Sequence, residues 1–239
     1  MDAVIAFSRF DPMREAELFR EFAYKMKVDG IILFGGGKDI RNPDEIPLVI
    51  FSGSSSTSVN ADVIKTDLMS GIVTLLQTIK SMGHTEIGFI GEPLTKGKQK
   101  IFLNSLRQVG LPVREEFIVT SKKRFMEAGE DGMRTLIARN ALPSVIIAAY
   151  DQIALGAMHV AVRHGYRIPD DISFAGIDDI TPSSYLDVPL TSLRVDFESV
   201  ADKVIELILS RIENPHRRSQ APITVPVEVI VRDSLKKTE

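Results

Sequence analysis

The sequence contains no cysteine, which excludes disulfides, thiolate catalysis and cysteine-ligated zinc. Histidine is scarce too: His84, His159, His164 and His216 are the four present. None has metal-ligand spacing to acidic partners, and His159 and His164, five apart on one predicted helix, do not share a face. No window approaches the ~18 consecutive apolar residues of a membrane span. Residues 1–11 place no basic segment ahead of a long apolar one, so no secretory leader is expected and the cytoplasm is the expected compartment. Positive charge is also short, with 29 Lys plus Arg against 32 Asp plus Glu and a net charge of −3. That gives no electrostatic support for nucleic-acid binding by this chain alone. The Gly-rich dinucleotide fingerprint is missing, and no nucleophile–base constellation is visible. No catalytic residue, metal or cofactor is therefore assigned.

What is present is an apolar-rich, turn-punctuated chain. Its 239 residues, 44% hydrophobic, suffice for one large domain or two ordinary ones. Strands are predicted at 3–7, 30–34, 48–51, 63–65, 87–90, 117–119, 145–149, 172–175 and 193–195. Helices are predicted at 12–26, 67–82, 96–109, 127–139, 152–164 and 197–212, with Val200, Val204, Ile208 and Ile212 forming an apolar stripe on the last. Pro12 suits a first helical turn. Residues 223–231 alternate well enough for one or two edge strands. This alternation implies an α/β fold with mostly parallel sheets, and the fresh strand after Met82-Gly83-His84 argues for two units.

The most informative stretch is Tyr150–Leu193. Asp151 follows the apolar run 144–149, a buried parallel strand in pattern, and opens a helix that closes at Gly165. A carboxylate at such a strand exit lies where doubly wound sheets bind ligands. Four motifs follow in order: Asp151-Gln152-Ile153-Ala154-Leu155-Gly156, Ile168-Pro169-Asp170-Asp171-Ile172-Ser173, Gly176-Ile177-Asp178-Asp179 and Pro189-Leu190-Thr191-Ser192-Leu193. Together they resemble the lac/gal repressor (LacI/GalR) family of transcription regulators, and weaker similarity covers almost the whole chain.

The resemblance implies two Rossmann-like subdomains of the periplasmic-binding-protein-like type I fold. One would hold residues 1–83 and 195–222, the other 84–194 and 223–239. It implies a homodimer whose subdomains close on a small-molecule effector, a sugar or sugar derivative. Family members also carry an N-terminal helix-turn-helix that reads operator DNA, and open the sensor with a strand and helix ahead of the segment matched by 2–7. Nothing here matches either, so operator binding is expected only through a reader this chain lacks. A solute-binding protein of periplasmic type is the alternative, and an α/β enzyme a distant third.

Several residues are candidate ligand contacts. Asp151 can accept from sugar hydroxyls, although an Asp at a helix start is also an ordinary cap. Phe197 matches a pocket-lining aromatic position, with a plain core role as the other reading. Lys98 stands where the family typically has arginine, Ser52 where it often has an acid, and Tyr150 where Asn is common. Arg124, in the run Lys122-Lys123-Arg124-Phe125, replaces a usual acidic and aromatic pair. If these cations face the cleft, an anionic effector such as a sugar phosphate or sugar acid is expected; a solvated basic turn is the other reading.

Three further motifs are weighed. Gly91–Lys98 imitates a P-loop but has five residues between glycines and Gln99 after the lysine, so nucleotide hydrolysis is not favoured. Gly35-Gly36-Gly37 offers backbone amides to an anion, or is only a strand exit. Asp178-Asp179 reads as a capped tight turn rather than a metal or acid–base pair.

Overall fold

A computed structural model describes residues 2–35, 40–43, 45–51, 59–215 and 217–238. Two units emerge, residues 1–66 with 196–225 and residues 67–195 with 226–239.

The first unit has a four-stranded parallel sheet of β1 (Ile31–Phe34), β2 (Leu48–Phe51), β3 (Asp62–Thr66) and β9 (Ile223–Val225), in that order. Alternation sends Leu48 and Ile50 to one face and Val49 to the other. The first face packs with Phe19 of α1 (Pro12–Arg20) and Ala23 of the π turn that continues it, Glu21–Met26. Asp11 caps α1 by accepting from Met13 N at 2.9 Å. The last helix, α6 (Phe197–Glu213), packs on β1, β2 and β3 through its buried stripe Val200, Val204, Leu207 and Ile208.

Arg211 on α6 is 1% exposed and answers Asp62, 2% exposed, at the start of β3. Its Nε donates to Asp62 Oδ2 at 3.0 Å and its Nη2 to Asn60 Oδ1 at 3.2 Å, and Arg217 adds a second guanidinium to the same carboxylate.

Residues 3–7 do not form the expected strand. They pair with no strand among the described residues, and Val4, Ile5 and Phe7 are exposed. A short apolar run needs a ladder neighbour before it becomes a strand.

The second unit has a six-stranded sheet in the order β10-β8-β7-β6-β4-β5. Its members are β4 (Ile87–Gly91), β5 (Ile118–Thr120), β6 (Val145–Ala148), β7 (Ser173–Asp178), β8 (Thr191–Val195) and β10 (Val227–Ile230). All pairs are parallel except β10 with β8. The central strands β4 and β6 are buried at every residue, as helices on both faces require. Those helices are α2 (Leu68–Ser81), α3 (Lys96–Gln108), α4 (Phe125–Ala138) and α5 (Asp151–Arg163).

The unit boundary falls earlier than the sequence reading placed it, because α2 belongs to the second unit. Its Ile72, Leu75, Leu76 and Ile79 share one buried cluster with Phe89, Phe102 and Leu193, and Gly71 leaves room for Val227, whose methyl would lie 2.0 Å from an added Cβ. The tail reads as two strands that part company at Pro226: β9 joins one sheet and β10 the other.

Candidate functional site

The site assembles at the carboxyl ends of β5, β4, β6 and β7, the edge at which open α/β sheets take ligands. Each strand delivers one element there. After β4 come Glu92 and, one helical turn into α3, Lys98. After β5 come Arg124 and Phe125, after β6 Tyr150 and Asp151, and after β7 the pair Asp178-Asp179.

Lys98 is central to it. Its Nζ donates to the carbonyl of Ala149 at 2.9 Å, lies 3.5 Å from Asp178 Oδ1, and sits 3.9 Å from the Tyr150 ring centroid. Burial pulls the ammonium pKa down, opposed by the charge of Asp178. Burial likewise raises Asp178, opposed by Lys98, and raises the Tyr150 phenol with help from Asp178 and Glu92. A lysine held against a carboxylate and an aromatic face presents little free charge.

Arg124 is similarly committed. Its Nε donates to both carboxylate oxygens of Glu92, at 2.9 and 3.0 Å, and its guanidinium stacks 4.5 Å from the Phe125 ring centroid. Glu92 is 0% exposed and also accepts from Phe125 N at 3.0 Å. The expectation of a net cationic face is corrected here: Lys98 and Arg124 are each matched by an acid, Asp178 and Glu92. Lys122 and Lys123 are exposed, which is the solvated-turn reading.

Asp151 is where the structure departs most from the sequence reading. Its carboxylate is fully buried and is held by groups of the protein itself. Oδ2 accepts from Ser183 Oγ at 2.6 Å and Ile180 N at 2.9 Å, while Oδ1 accepts from Ser192 Oγ at 2.5 Å. Burial raises its pKa to about 6, against the pull of those hydrogen bonds. The carboxylate thus ties the turn after β7 to β8.

The turn itself is split in role. Both aspartates hold left-handed backbone, φ 109° and 48°, a conformation Asp tolerates better than most residues. Asp179 is structural, as expected: Arg232 Nη1 and Arg194 Nε donate to it at 2.6 and 2.7 Å. Although burial pushes its pKa up, these two arginines hold it down overall. Asp178 instead faces Lys98. Sequence reasoning treated the pair as one and missed Asp178, as it missed Glu92 and Phe125; a glutamate directly after a buried strand was the one available signal.

Phe197 lies in the first unit at the start of α6, 51% exposed and edge-on to Phe51 at 6.4 Å. It is not a core residue, since half its ring remains free. Ser52, and with it Gly36 and Gly37 of the glycine run, lie outside the described residues. Gly91–Lys98 forms a short 3-10 turn, Pro93–Thr95, and enters α3, so this loop holds Lys98 in the site rather than coiling as a phosphate cradle.

Strand order and the position of these groups at the strand edge fit a periplasmic-binding-protein-like fold. The chain belongs to the periplasmic binding protein-like domain family, whose profile matches residues 76–235. Its relatives are bacterial repressors. It is 28% identical to the ribose operon repressor of Haemophilus influenzae, over 97% of this chain and 71% of that protein. A LacI-family sugar-binding regulator from Escherichia coli, solved with phosphate, superposes with a TM-score of 0.82 at 20% identity, covering 98% of this chain and 86% of that one. The regulator CelR in complex with cellobiose gives 0.81 at 21%, covering 94% and 71%. The resemblance to LacI-type regulators noted in the sequence therefore holds. No helix among the described residues is long and apolar enough to cross a membrane.

Proposed function

We propose that this chain is the effector-sensing core of a LacI-type transcription regulator, taking a small polyhydroxylated ligand, a sugar or sugar derivative. The carrying observation is the convergence of Lys98, Tyr150, Asp178, Arg124 and Phe125 at one strand edge. It combines hydrogen-bonding groups for hydroxyls with aromatic faces for an apolar ring face. Because the two cations are already matched by acids, a neutral sugar is favoured over an anion.

The chain spans about seven tenths of the ribose repressor, so the regulatory output rests on the longer protein. The proposal is a cytoplasmic homodimer in which ligand favours one arrangement of the two units over another, by the difference in its affinity for them. Operator binding would be supplied by a separate helix-turn-helix. That its relatives are repressors supports a sensor over both a transport protein and an enzyme.

Isothermal titration with ribose, cellobiose, ribose 5-phosphate and inorganic phosphate tests the ligand class. A binding heat with at least one neutral sugar, weaker or absent with the phosphorylated compounds, is the expected outcome. Preference for the phosphorylated sugar would reverse the charge argument, and turnover of any of them would reverse the assignment as a sensor.

A further inference from the structure

Glu92, whose side chain also caps the turn Pro93–Thr95, reaches across to Phe125. Phe125 is the first residue of α4 and holds φ at 49°, a left-handed conformation that is a true outlier for a bulky side chain. Such strain persists only where its surroundings over-determine it. Here the determinant is the wholly buried Glu92 carboxylate, which accepts from Phe125 N at 3.0 Å and from Arg124 Nε on both oxygens. The helix start could be satisfied by an ordinary Ser or Asp cap. Instead the chain buries a carboxylate, pairs it with a guanidinium and twists an aromatic residue against its preference.

The result is the placement of one ring. Phe125 is 41% exposed, so core packing does not explain it. Its ring lies 6.0 Å from that of Tyr150 at 44°, and Tyr150 in turn carries Lys98 Nζ on its face at 3.9 Å. A buried anion on one loop thus sets a row of aromatic ring, aromatic ring and ammonium across three loops.

We infer that Glu92 is a positioning residue for ligand recognition, holding Phe125 against Tyr150 so that the two rings form the wall that selects ligands with an apolar ring face. It touches no ligand itself. This rests on the sugar-sensing reading above, and its test separates the two.

The test labels the chain with 3-fluorotyrosine and follows the Tyr150 resonance, assigned by Tyr150→Phe, by fluorine NMR. Phe125→Gly removes the ring while glycine adopts the left-handed start freely. That variant is expected to shift the Tyr150 signal and to unfold at no lower temperature than the wild type. Glu92→Gln, which keeps shape but loses the charge that holds Arg124, is expected to move the same signal in the same direction. If Glu92→Gln does not fold, Arg124→Gln frees one side of the carboxylate and makes the same comparison. A Tyr150 signal unmoved by Glu92→Gln but moved by Phe125→Gly overturns the proposal, as does a signal that Phe125→Gly leaves in place.

Titration of ribose and cellobiose completes the test. A sugar that binds the wild type is expected to bind each variant about tenfold more weakly, and the double variant no more weakly than either single one. Additive losses would overturn the positioning role. Absence of sugar binding by the wild type, with the fluorine shifts intact, would sink the sugar reading and leave the Glu92–Phe125–Tyr150 relationship standing.

Discussion

Ser192 donates its hydroxyl to Oδ1 of Asp151 at 2.5 Å across 41 positions of sequence. The contact joins the start of α5 to the second residue of β8. It runs past Gly176 on β7, where an added Cβ would lie 2.0 Å from the same oxygen. The same serine oxygen accepts from Asp179 N at 3.1 Å. One buried carboxylate therefore fixes the backbone from which Asp178 reaches Lys98, so Asp151 acts on the site through the turn it holds.

The raised pKa of Asp151 has a stability consequence of definite sign. In the unfolded chain the group titrates at its ordinary value of 3.8 and in the folded protein at about 6. The folded state therefore holds the proton more tightly, and the stability this adds is complete below pH 3.8 and lost as pH rises through 6. The difference in unfolding free energy between wild type and Asp151→Asn is expected to fall by about 3 kcal/mol across that window. Urea unfolding of both proteins at a series of pH values measures it. A difference that is flat with pH, or rises, contradicts the assignment.

Alanine at two glycines should act in opposite directions. Gly156 lets α5 approach α4 so closely that an added Cβ would sit 2.0 Å from the carbonyl oxygen of Met126. Gly156→Ala is expected to cost about 2 kcal/mol or more, despite alanine's better helix propensity. Gly97, in the first turn of α3, has nothing within 4 Å of its Cβ position, so Gly97→Ala should add about 0.5–1 kcal/mol. Thermal denaturation of the pair checks this; equal effects would show that the close helix contact is absent.

Arg211 is expected to be the most sensitive charged residue of the first unit. Both it and Asp62 are buried, and removing the arginine leaves the carboxylate beside β3 with Arg217 as its remaining cation. Arg211→Met should cost about 3 kcal/mol, the low end for breaking a buried pair because Arg217 still meets the carboxylate, with part of that recovered in Arg211→Met combined with Asp62→Asn. Chemical denaturation of the three variants reads it directly. A loss below about 1 kcal/mol for the single variant would mean the pair is solvated.

Much of the fold was legible because period and burial are written locally. The runs at 87–90 and 145–149 read as buried parallel strands, and Val200, Val204 and Ile208 marked the buried side of α6. Residues 3–7 show the limit of such reading, since their apolar run finds no ladder among the described residues. The unit boundary shows another, because α2 could be assigned only by what its apolar face meets.

The sequence by itself determined the α/β class, the order of elements, the strand edge at which side chains gather and the resemblance to LacI-type regulators. These follow from hydrophobic periodicity, turn residues and motif order along one chain. Tertiary structure alone decided which partners each of the gathered residues finds. Adjacent aspartates at 178 and 179 look alike in sequence, yet one is held by Arg194 and Arg232 and the other faces Lys98. Asp151 looked like a ligand contact, yet Ser183, Ser192 and Ile180 already use its oxygens. A carboxylate's role depends on which donors and charges surround it in space, and those donors come from segments tens of residues away.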